Sequence, residues 1–207
     1  MAAQRRLRPN GPVRFVVAKE PLNESWSRIL GPESQSAWPR SIQKLPNESE
    51  KNLMKKFLQL ISDCLTDVGE IMPWDLEERL QANPELLVVD VREPYEYDAM
   101  HIEGSLCVPR GILESACEWD YEETIPELVR ARQREVVVVC RSGYRSVLAA
   151  FSLMVLGYEN VVSLKTGLRG WNDYEQPLLD AAGEPVDIEV ADDYFTSRVR
   201  EDQLSPK

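Results

Sequence analysis

A cysteine flanked by two arginines lies between two strongly apolar stretches of this chain. Cys140 follows the valine run at 136–139, and Arg141, Gly143 and Arg145 come within the next five residues. Two arginines and a glycine are not typical of a buried core, yet here they separate two segments that must be buried. A thiolate is a strong nucleophile, and neighbouring arginines favour it over the thiol. The pattern therefore predicts a nucleophilic cysteine in a loop that binds an anion.

The position of this loop along the chain favours the same chemistry. The valine run predicts a strand covered on both faces, and the apolar-rich stretch 145–156 predicts a helix that ends at Gly157. Ligands bind at the carboxyl ends of strands in open α/β sheets, and N–H groups at a helix N-terminus can converge on an anion. The alternative is a core thiol at a strand end, and it fits the following Arg-Ser-Gly-Tyr-Arg-Ser less well.

Predicted strands and helices alternate on both sides of the loop. Such alternation predicts an α/β fold, with a central, mostly parallel sheet flanked by helices and connected by right-handed crossovers. The predicted strands are 86–89, 106–108, 136–139 and 161–164, and the predicted helices are 73–80 and 145–156, with a mostly helical stretch at 112–128.

Across these elements the sequence resembles the rhodanese family. The resemblance covers residues 68–178, and the family's Cys-Arg-x-Gly-x-Arg loop is matched by residues 140–145. Each matching segment is modest alone, but all four follow the family's order at similar separations. A rhodanese-like fold is therefore implied. The other three segments are Val89-Asp90-Val91-Arg92-Glu93, His101-Ile102-Glu103-Gly104-Ser105 followed by Val108-Pro109, and Gly167-Leu168-Arg169-Gly170-Trp171.

The resemblance implies a sulfurtransferase that works by double displacement. Cys140 would attack the outer sulfur of thiosulfate or a similar small donor, and the resulting persulfide would pass its sulfur to cyanide or to a thiol. That thiol could belong to a sulfur-carrier protein, and the sequence leaves the physiological donor and acceptor open. Cys140 and Arg145 are the catalytic residues under this reading. The implied substrate-binding residues are Arg141, Ser142, Gly143, Tyr144 and Ser146, together with Arg110 at the end of a neighbouring strand.

The length of the loop disfavours one rival activity. Cys140 and Arg145 form a C-x4-R pattern, whereas protein-tyrosine-type phosphatases, and the cell-cycle phosphatases that share the rhodanese fold, use C-x5-R. The extra residue widens the loop around a tetrahedral phosphate, so a phosphatase or arsenate reductase fits this chain less well. A second rival is a non-catalytic rhodanese module that binds or regulates a partner. Such modules often lack the cysteine that this chain keeps.

Several other polar residues near the loop in sequence are interpreted as structural. Asp90, Arg92 and Glu93 lie at a strand end, where charged groups tie loops together. His101 is more typical of a hydrogen bonder in loop packing than of a general base. Two further cysteines without a strand-to-helix context are also interpreted as structural, namely Cys107 and Cys117.

Charge and hydropathy exclude two classes of partner. Residues 1–53 hold nine basic and five acidic side chains, whereas residues 54–207 hold fifteen and thirty, so the net charge of -11 belongs to the main body. An acidic body repels phosphate backbones, and no nucleic acid is expected as a partner. No apolar run reaches the about 18 residues that a membrane span needs, so no membrane is expected either.

The cysteine and histidine content argues against a metal site. The chain has four cysteines, one histidine and no C-x-x-C pair, so no common zinc-binding set is present. We expect neither a metal nor another cofactor. The start of the chain has no apolar core of a secretory signal, and a reducing, cytoplasmic location is predicted.

The composition divides the chain into four predicted parts. Residues 1–49 hold six of the fourteen prolines among Ser, Asn and Glu, which is typical of a disordered extension. An organellar presequence and a dispensable extension both remain open for it. An amphipathic helix at 50–67, the rhodanese-like catalytic domain at 68–178 and a loosely packed acidic tail at 179–207 are predicted to follow.

Overall fold

One five-stranded sheet forms the centre of the protein. The computed structural model describes residues 55–205, and in it all four neighbouring strand pairs are parallel, in the order β1-β5-β4-β2-β3. The predicted α/β fold with a parallel sheet is confirmed, whereas the predicted extension at 1–49 lies outside the described residues. The strands are β1 (Gly69–Ile71), β2 (Leu87–Asp90), β3 (Leu106–Cys107), β4 (Glu135–Val139) and β5 (Asn160–Leu164).

Helices cover both faces of this sheet. They are α1 (Phe57–Cys64), α2 (Pro73–Ala82), α3 (Pro94–Ala99), α4 (Leu113–Ala116), α5 (Pro126–Val129), α6 (Tyr144–Val155), α7 (Gly167–Asp173) and α8 (Ile188–Phe195). Helices α1, α4, α5 and α6 contribute to one apolar core, and α2, α7 and α8 to the other. Within residues 55–205, no helix combines the length and the apolar character that crossing a membrane would require.

Strand β4 lies at the centre because its side chains suit burial on both faces. The four valines 136–139 are all 0% exposed, and they alternate between the two apolar cores. The register sets Val139 beside Asp90 of β2 and Val138 beside Ser163 of β5. The carboxyl ends of these strands therefore meet at one edge of the sheet, where Cys140 follows.

Proline determines where three of the helices begin. Pro73, Pro94 and Pro126 occupy first-turn positions, where the missing N–H costs no helical hydrogen bond. At the start of α3, the Glu96 carboxylate also accepts the N–H of Glu93 at 3.2 Å. This short helix thereby holds a carboxylate close to the edge of the sheet where the cysteine loop lies.

Two predicted helices differ from the structure in extent. Helix α1 covers Phe57–Cys64 rather than all of 50–67, and residues up to 54 lie outside the described part. The stretch at 112–128 contains only the short helices α4 and α5, with turns between them. Asp120 there has a left-handed backbone with φ of 70°, which stops a right-handed helix.

The prediction that the tail at 179–207 packs loosely is wrong for helix α8. Ala191 and Phe195 of α8 are 0% and 2% exposed and belong to the core beside α7. The backbone of Leu179 also forms isolated bridges with His101 and Pro185. An acidic segment can still form an amphipathic helix, because one or two apolar residues per turn are enough to bury one helix face.

Candidate active site

The cysteine loop connects the end of β4 to the start of α6. Cys140 directly follows the last valine of the strand, and only 1% of it is exposed. Gly143 has a left-handed backbone with φ of 92° and directly precedes the helix, which begins at Tyr144. A Cβ atom on Gly143 would lie 3.1 Å from the backbone nitrogen of Thr166. Glycine is therefore favoured on two grounds, since a side chain here would strain the backbone and crowd Thr166.

Three hydrogen-bonding groups of the loop surround the sulfur of Cys140. The backbone N–H groups of Gly143 and Ser146 point at Sγ, with N···S distances of 3.2 and 3.4 Å. The hydroxyl Oγ of Ser146 lies 3.4 Å from the same sulfur. The two N–H donors, at the positive end of a twelve-residue helix, can stabilise negative charge on the sulfur. The arrangement is suited to a nucleophilic thiolate.

The first turn of α7 supports the loop from behind. The N–H groups of Leu168 and Arg169 donate to the carbonyls of Cys140 and Arg141, at 2.8 and 3.1 Å. These bonds hold two loop carbonyls away from the sulfur. The approach requires Gly167, because a Cβ atom there would collide with the carbonyl oxygen of Cys140. In the sequence, Gly167 belongs to the segment 167–171 that resembles the family, but the sequence does not predict that this segment contacts the cysteine loop.

The guanidinium of Arg145 is paired with a carboxylate that the sequence did not single out. Its Nη1 and Nη2 atoms donate to Glu96 at 2.6 and 2.8 Å in a bidentate pair. Burial is the largest single influence and would raise the pKa of Glu96. The hydrogen bonds from Arg145 and from the N–H of Glu93, together with the charges of Arg145 and Arg92, outweigh it and lower that pKa below its ordinary value. The same pair raises the pKa of Arg145. The resemblance implies a catalytic role for Arg145, whereas in the structure its guanidinium is bound to Glu96.

Arg141 is engaged at the end of the C-terminal helix. Its Nη2 donates to the carbonyls of Tyr194, Phe195 and Thr196, at 3.3, 3.0 and 3.1 Å. These are carbonyls of the last turn of α8, which lack helical partners. The sequence predicts that Arg141 contacts a donor, whereas here its side chain attaches α8 to the cysteine loop.

The other predicted site residues differ in how close they come to the sulfur. Ser142 is half-buried within the loop, and Tyr144 is 45% exposed, with its ring edge-on to that of Phe57. Arg110 bonds instead to Glu114 and to Ser152, which lies about two turns along α6 from the loop. The structure therefore brings Ser142 and Tyr144 to the loop but places the Arg110 side chain elsewhere.

Beside the loop, Asp90 and Arg92 form an ion pair that is fully buried. Both side chains are 0% exposed, and Nη2 of Arg92 lies 2.7 Å from Oδ2 of Asp90. The same Nη2 donates to the carbonyl of Met100 at 2.6 Å, which ties the following loop to β2. His101 stacks on Tyr97. These contacts are of the structural kind that the sequence suggests for Asp90, Arg92 and His101.

We expect Arg145→Ala and Glu96→Ala each to lower the free energy of unfolding by about 1–2 kcal/mol. The figure allows for screening by water, since about a third of the Arg145 side chain is exposed. Because each substitution breaks the same pair, the double variant should lose less than the sum of the two. Urea unfolding of the four proteins measures this coupling. The stabilisation should be complete at neutral pH and disappear as the pH falls through the lowered pKa of Glu96.

A surface ion pair supplies the control for that cycle. Arg198 and Asp193 are paired, but their side chains are 70% and 74% exposed. Arg198→Ala should therefore change the unfolding free energy by less than about 0.5 kcal/mol. Strictly additive losses at Arg145 and Glu96 would contradict a coupled pair.

Comparisons with known proteins agree with this fold. The family model described as the rhodanese-like domain matches residues 72–174. A sulfurtransferase of Allochromatium vinosum is 32% identical over 116 residues, which make up 56% of this chain and 99% of that protein. A thiosulfate sulfurtransferase structure from Pseudomonas aeruginosa, 26% identical, gives a TM-score of 0.50 over 62% of this chain and 22% of that one.

Other relatives match only in part of their length. MoeZ of Mycobacterium tuberculosis, named as a probable adenylyltransferase/sulfurtransferase, is 30% identical over 126 residues, or 59% of this chain. The match covers only 30% of MoeZ. Most of MoeZ therefore lies outside the match.

Proposed function

Because this chain belongs to the rhodanese-like domain family, we propose that it is a sulfurtransferase that carries sulfur as a persulfide on Cys140. Thiosulfate or a similar small anion is the proposed donor, and a thiol or cyanide is the proposed acceptor. A thiol on a sulfur-carrier protein fits the same role. The names of the matched relatives support sulfur transfer in general, and one of them is named as a thiosulfate sulfurtransferase.

The single observation that carries the proposal is the pair of backbone donors at the sulfur of Cys140. The N–H groups of Gly143 and Ser146 donate to Sγ at 3.2 and 3.4 Å, at the start of α6. Hydrogen-bond donors fixed in place before the reaction stabilise charge without reorganising. Negative charge on Sγ can therefore be stabilised by groups that are already in place.

In the first half-reaction the donor loads the enzyme. The Cys140 thiolate attacks the outer sulfur of thiosulfate, so that a new S–S bond forms as the sulfur–sulfur bond of thiosulfate breaks. The electron pair of the thiolate forms the new bond, sulfite leaves with the pair of the old one, and the terminal sulfur of the persulfide keeps the negative charge that it carried in thiosulfate. The loop N–H groups that do not bond to Sγ are the proposed partners of that terminal sulfur.

In the second half-reaction an acceptor removes the terminal sulfur. A thiolate or cyanide attacks that sulfur, the persulfide bond breaks, and its electron pair returns to Cys140 as the thiolate. The products are a new persulfide or thiocyanate, and no redox partner is consumed. Within the loop, Tyr144 is exposed and Ser142 is half-buried. These two residues are the proposed contacts for the sulfur donor and for the acceptor.

Arg145 and Arg141 would act differently from what their positions in the sequence suggest. Each is attached to another part of the protein, namely Glu96 and the end of α8. Their charges still lie beside the loop and would attract an anionic donor. We propose that their main contribution is to hold the loop in shape. A cytoplasmic location and the absence of a cofactor remain predictions from the sequence.

Sulfur loading can be measured directly on the intact protein. After incubation with thiosulfate and removal of the excess, mass spectrometry should find the mass of one added sulfur atom, and cyanide should remove it. Treatment of the loaded protein with a reducing thiol should also restore the original mass. Aryl-phosphatase turnover should be absent. No added mass, together with robust phosphatase turnover that depends on Cys140, would overturn the proposal.

A further inference from the structure

A second serine hydroxyl lies behind the one that contacts the sulfur. Ser163 is the fourth of the five residues of β5, and both Ser163 and Ser146 are 0% exposed. Their Oγ atoms are 2.8 Å apart, with Ser163 as the donor. Ser163 is flanked in its strand by Val162 and Leu164. A buried hydroxyl in an apolar strand is costly unless it is hydrogen-bonded, and its bond here leads towards Cys140.

The hydrogens of this group can be assigned from the partners of each hydroxyl. A hydroxyl has one hydrogen and two acceptor lone pairs. Ser163 donates its hydrogen to Oγ of Ser146, whose own hydrogen lies towards the carbonyl of Gly143 at 2.9 Å. The second lone pair of Ser146 faces Sγ of Cys140 at 3.4 Å, where it can accept the S–H of the thiol. Both lone pairs of Ser146 are thus used when Cys140 is a thiol.

Ionisation of Cys140 changes one of these bonds. The sulfur then has no hydrogen to donate, and it becomes an acceptor. Ser146 can turn its hydrogen from the Gly143 carbonyl to Sγ over the same 3.4 Å, while Ser163 continues to donate to Ser146. A hydroxyl that accepts one hydrogen bond is a stronger donor in the next, because hydrogen bonds in a chain polarise one another.

We propose that Ser163 is a positioning residue for the chemistry of Cys140, which it promotes by holding and polarising the Ser146 hydroxyl. This rests on the proposed function only in naming the sulfur as the reacting atom. Ser163 does not touch the substrate and acts entirely through Ser146. The same hydroxyl pair would stabilise the inner sulfur of the persulfide and the thiolate that leaves when the acceptor attacks.

The test is Ser163→Ala, which removes the hydroxyl and keeps the side chain small. Thiolate at Cys140 is measured by its ultraviolet absorbance and by the rate of alkylation with iodoacetamide near neutral pH. Subtracting the signal of the same protein with Cys140→Ser removes the other thiols, among which burial raises the pKa of Cys107 and Cys117. Alkylation should slow by about three- to tenfold, the effect of one hydrogen bond.

Ser105 offers a matched control. It is also buried, and its hydroxyl donates to the carbonyl of Ile102 rather than to a side chain at the loop. Ser105→Ala should therefore leave the alkylation rate unchanged within twofold. Melting temperatures of both alanine variants show whether each is folded at the temperature of the assay.

A double-variant cycle separates action through Ser146 from a general effect on the core. Ser146→Ala should slow alkylation at least as much as Ser163→Ala, and adding Ser163→Ala to it should cause no further loss. Ser163→Thr, which keeps the hydroxyl, should restore most of the rate. Independent effects of the two alanines, or an unchanged rate in Ser163→Ala, would overturn the proposal.

Failure of this inference can be told apart from failure of the proposed function. Alkylation and thiolate absorbance require no sulfur donor, so they report on Ser163 even if thiosulfate adds no mass to the protein. Loading by thiosulfate with an unchanged alkylation rate in Ser163→Ala would leave the function standing and reject the role of Ser163. Slower alkylation in Ser163→Ala without any sulfur loading of the wild-type protein would support the role of Ser163 and reject the proposed function.

Discussion

Cys140→Ser should lower sulfur transfer from thiosulfate to cyanide by several orders of magnitude, to the background rate. A serine hydroxyl is not ionised near neutral pH and cannot form the persulfide, so both half-reactions are lost. The substitution changes one atom at a site where the N–H groups of Gly143 and Ser146 can bond to oxygen as well as to sulfur. The melting temperature should therefore stay within a few degrees. Thiocyanate formation and intact mass provide the measurements.

Cys107→Ser is the matched control for this loss. Cys107 is half-buried at the end of β3, and burial raises the pKa of its thiol, which makes it a poor nucleophile. Cys107→Ser should keep most of the transfer activity and still take up one sulfur. Retained activity in Cys140→Ser, or an equal loss in Cys107→Ser, would show that Cys140 is not the cysteine that carries the sulfur.

Gly167→Ala should reduce sulfur transfer on the order of 100-fold, although Gly167 contacts no substrate. Its backbone has φ of 60°, and an added Cβ would collide with the Cys140 carbonyl and lie 2.6 Å from the carbonyl carbon of Arg141. Relief of that collision must move the loop or α7, and a shift of about 1 Å at a reacting group can cost about 100-fold in rate. Rates of sulfur loading by thiosulfate and of alkylation at Cys140 should both fall.

Gly104 separates the effect of the collision from the effect of the backbone angle. It has a similar left-handed backbone, with φ of 72°, but a Cβ there would meet no atom within 4 Å. Gly104→Ala should cost only about 1–2 kcal/mol of stability from the unfavourable angle and leave the transfer rate nearly unchanged. If both alanine variants lose activity to the same extent, the collision at Gly167 is not the cause.

The C-terminal helix extends the site beyond the region that matches the family. The family model ends at residue 174, whereas α8 covers Ile188–Phe195 and is bonded to Arg141 of the loop. Phe195 and Ala191 bury its apolar face against the sheet. An element from outside the matched region is thus in direct contact with the residue that follows the proposed nucleophile.

Local features of the chain determined the core of the fold and the location of the loop. The valines 136–139 specify a strand buried on both faces, because β-branched side chains without polar neighbours fit only there. The apolar stretch after Arg145 specifies a helix, and the two together place Cys140 at a strand end before a helix N-terminus. Each conclusion depends on residues less than about ten positions apart, where strand and helix geometry relates spacing directly to position.

Only the tertiary structure decided what the side chains of the loop contact. Glu96 pairs with Arg145 from 49 positions away, and the end of α8 binds Arg141 from 53 to 55 positions away. From the sequence alone, an arginine near a cysteine could bind either an anionic substrate or a carboxylate of the protein. Which of the two it meets depends on how α3 and α8 pack against the sheet.

The contacts of Gly167 and Ser163 near the sulfur were not predicted, because they also join elements that are distant in sequence. Gly167 and Ser163 lie on α7 and β5, and neither spacing nor composition distinguishes them from an ordinary turn glycine or a polar residue in a strand. Their roles arise because parallel pairing sets β5 beside β4 and brings the next helix against the loop. The sequence by itself identified the proposed nucleophile, whereas the packing of distant elements decided what surrounds it, since those contacts exist only once the sheet has formed.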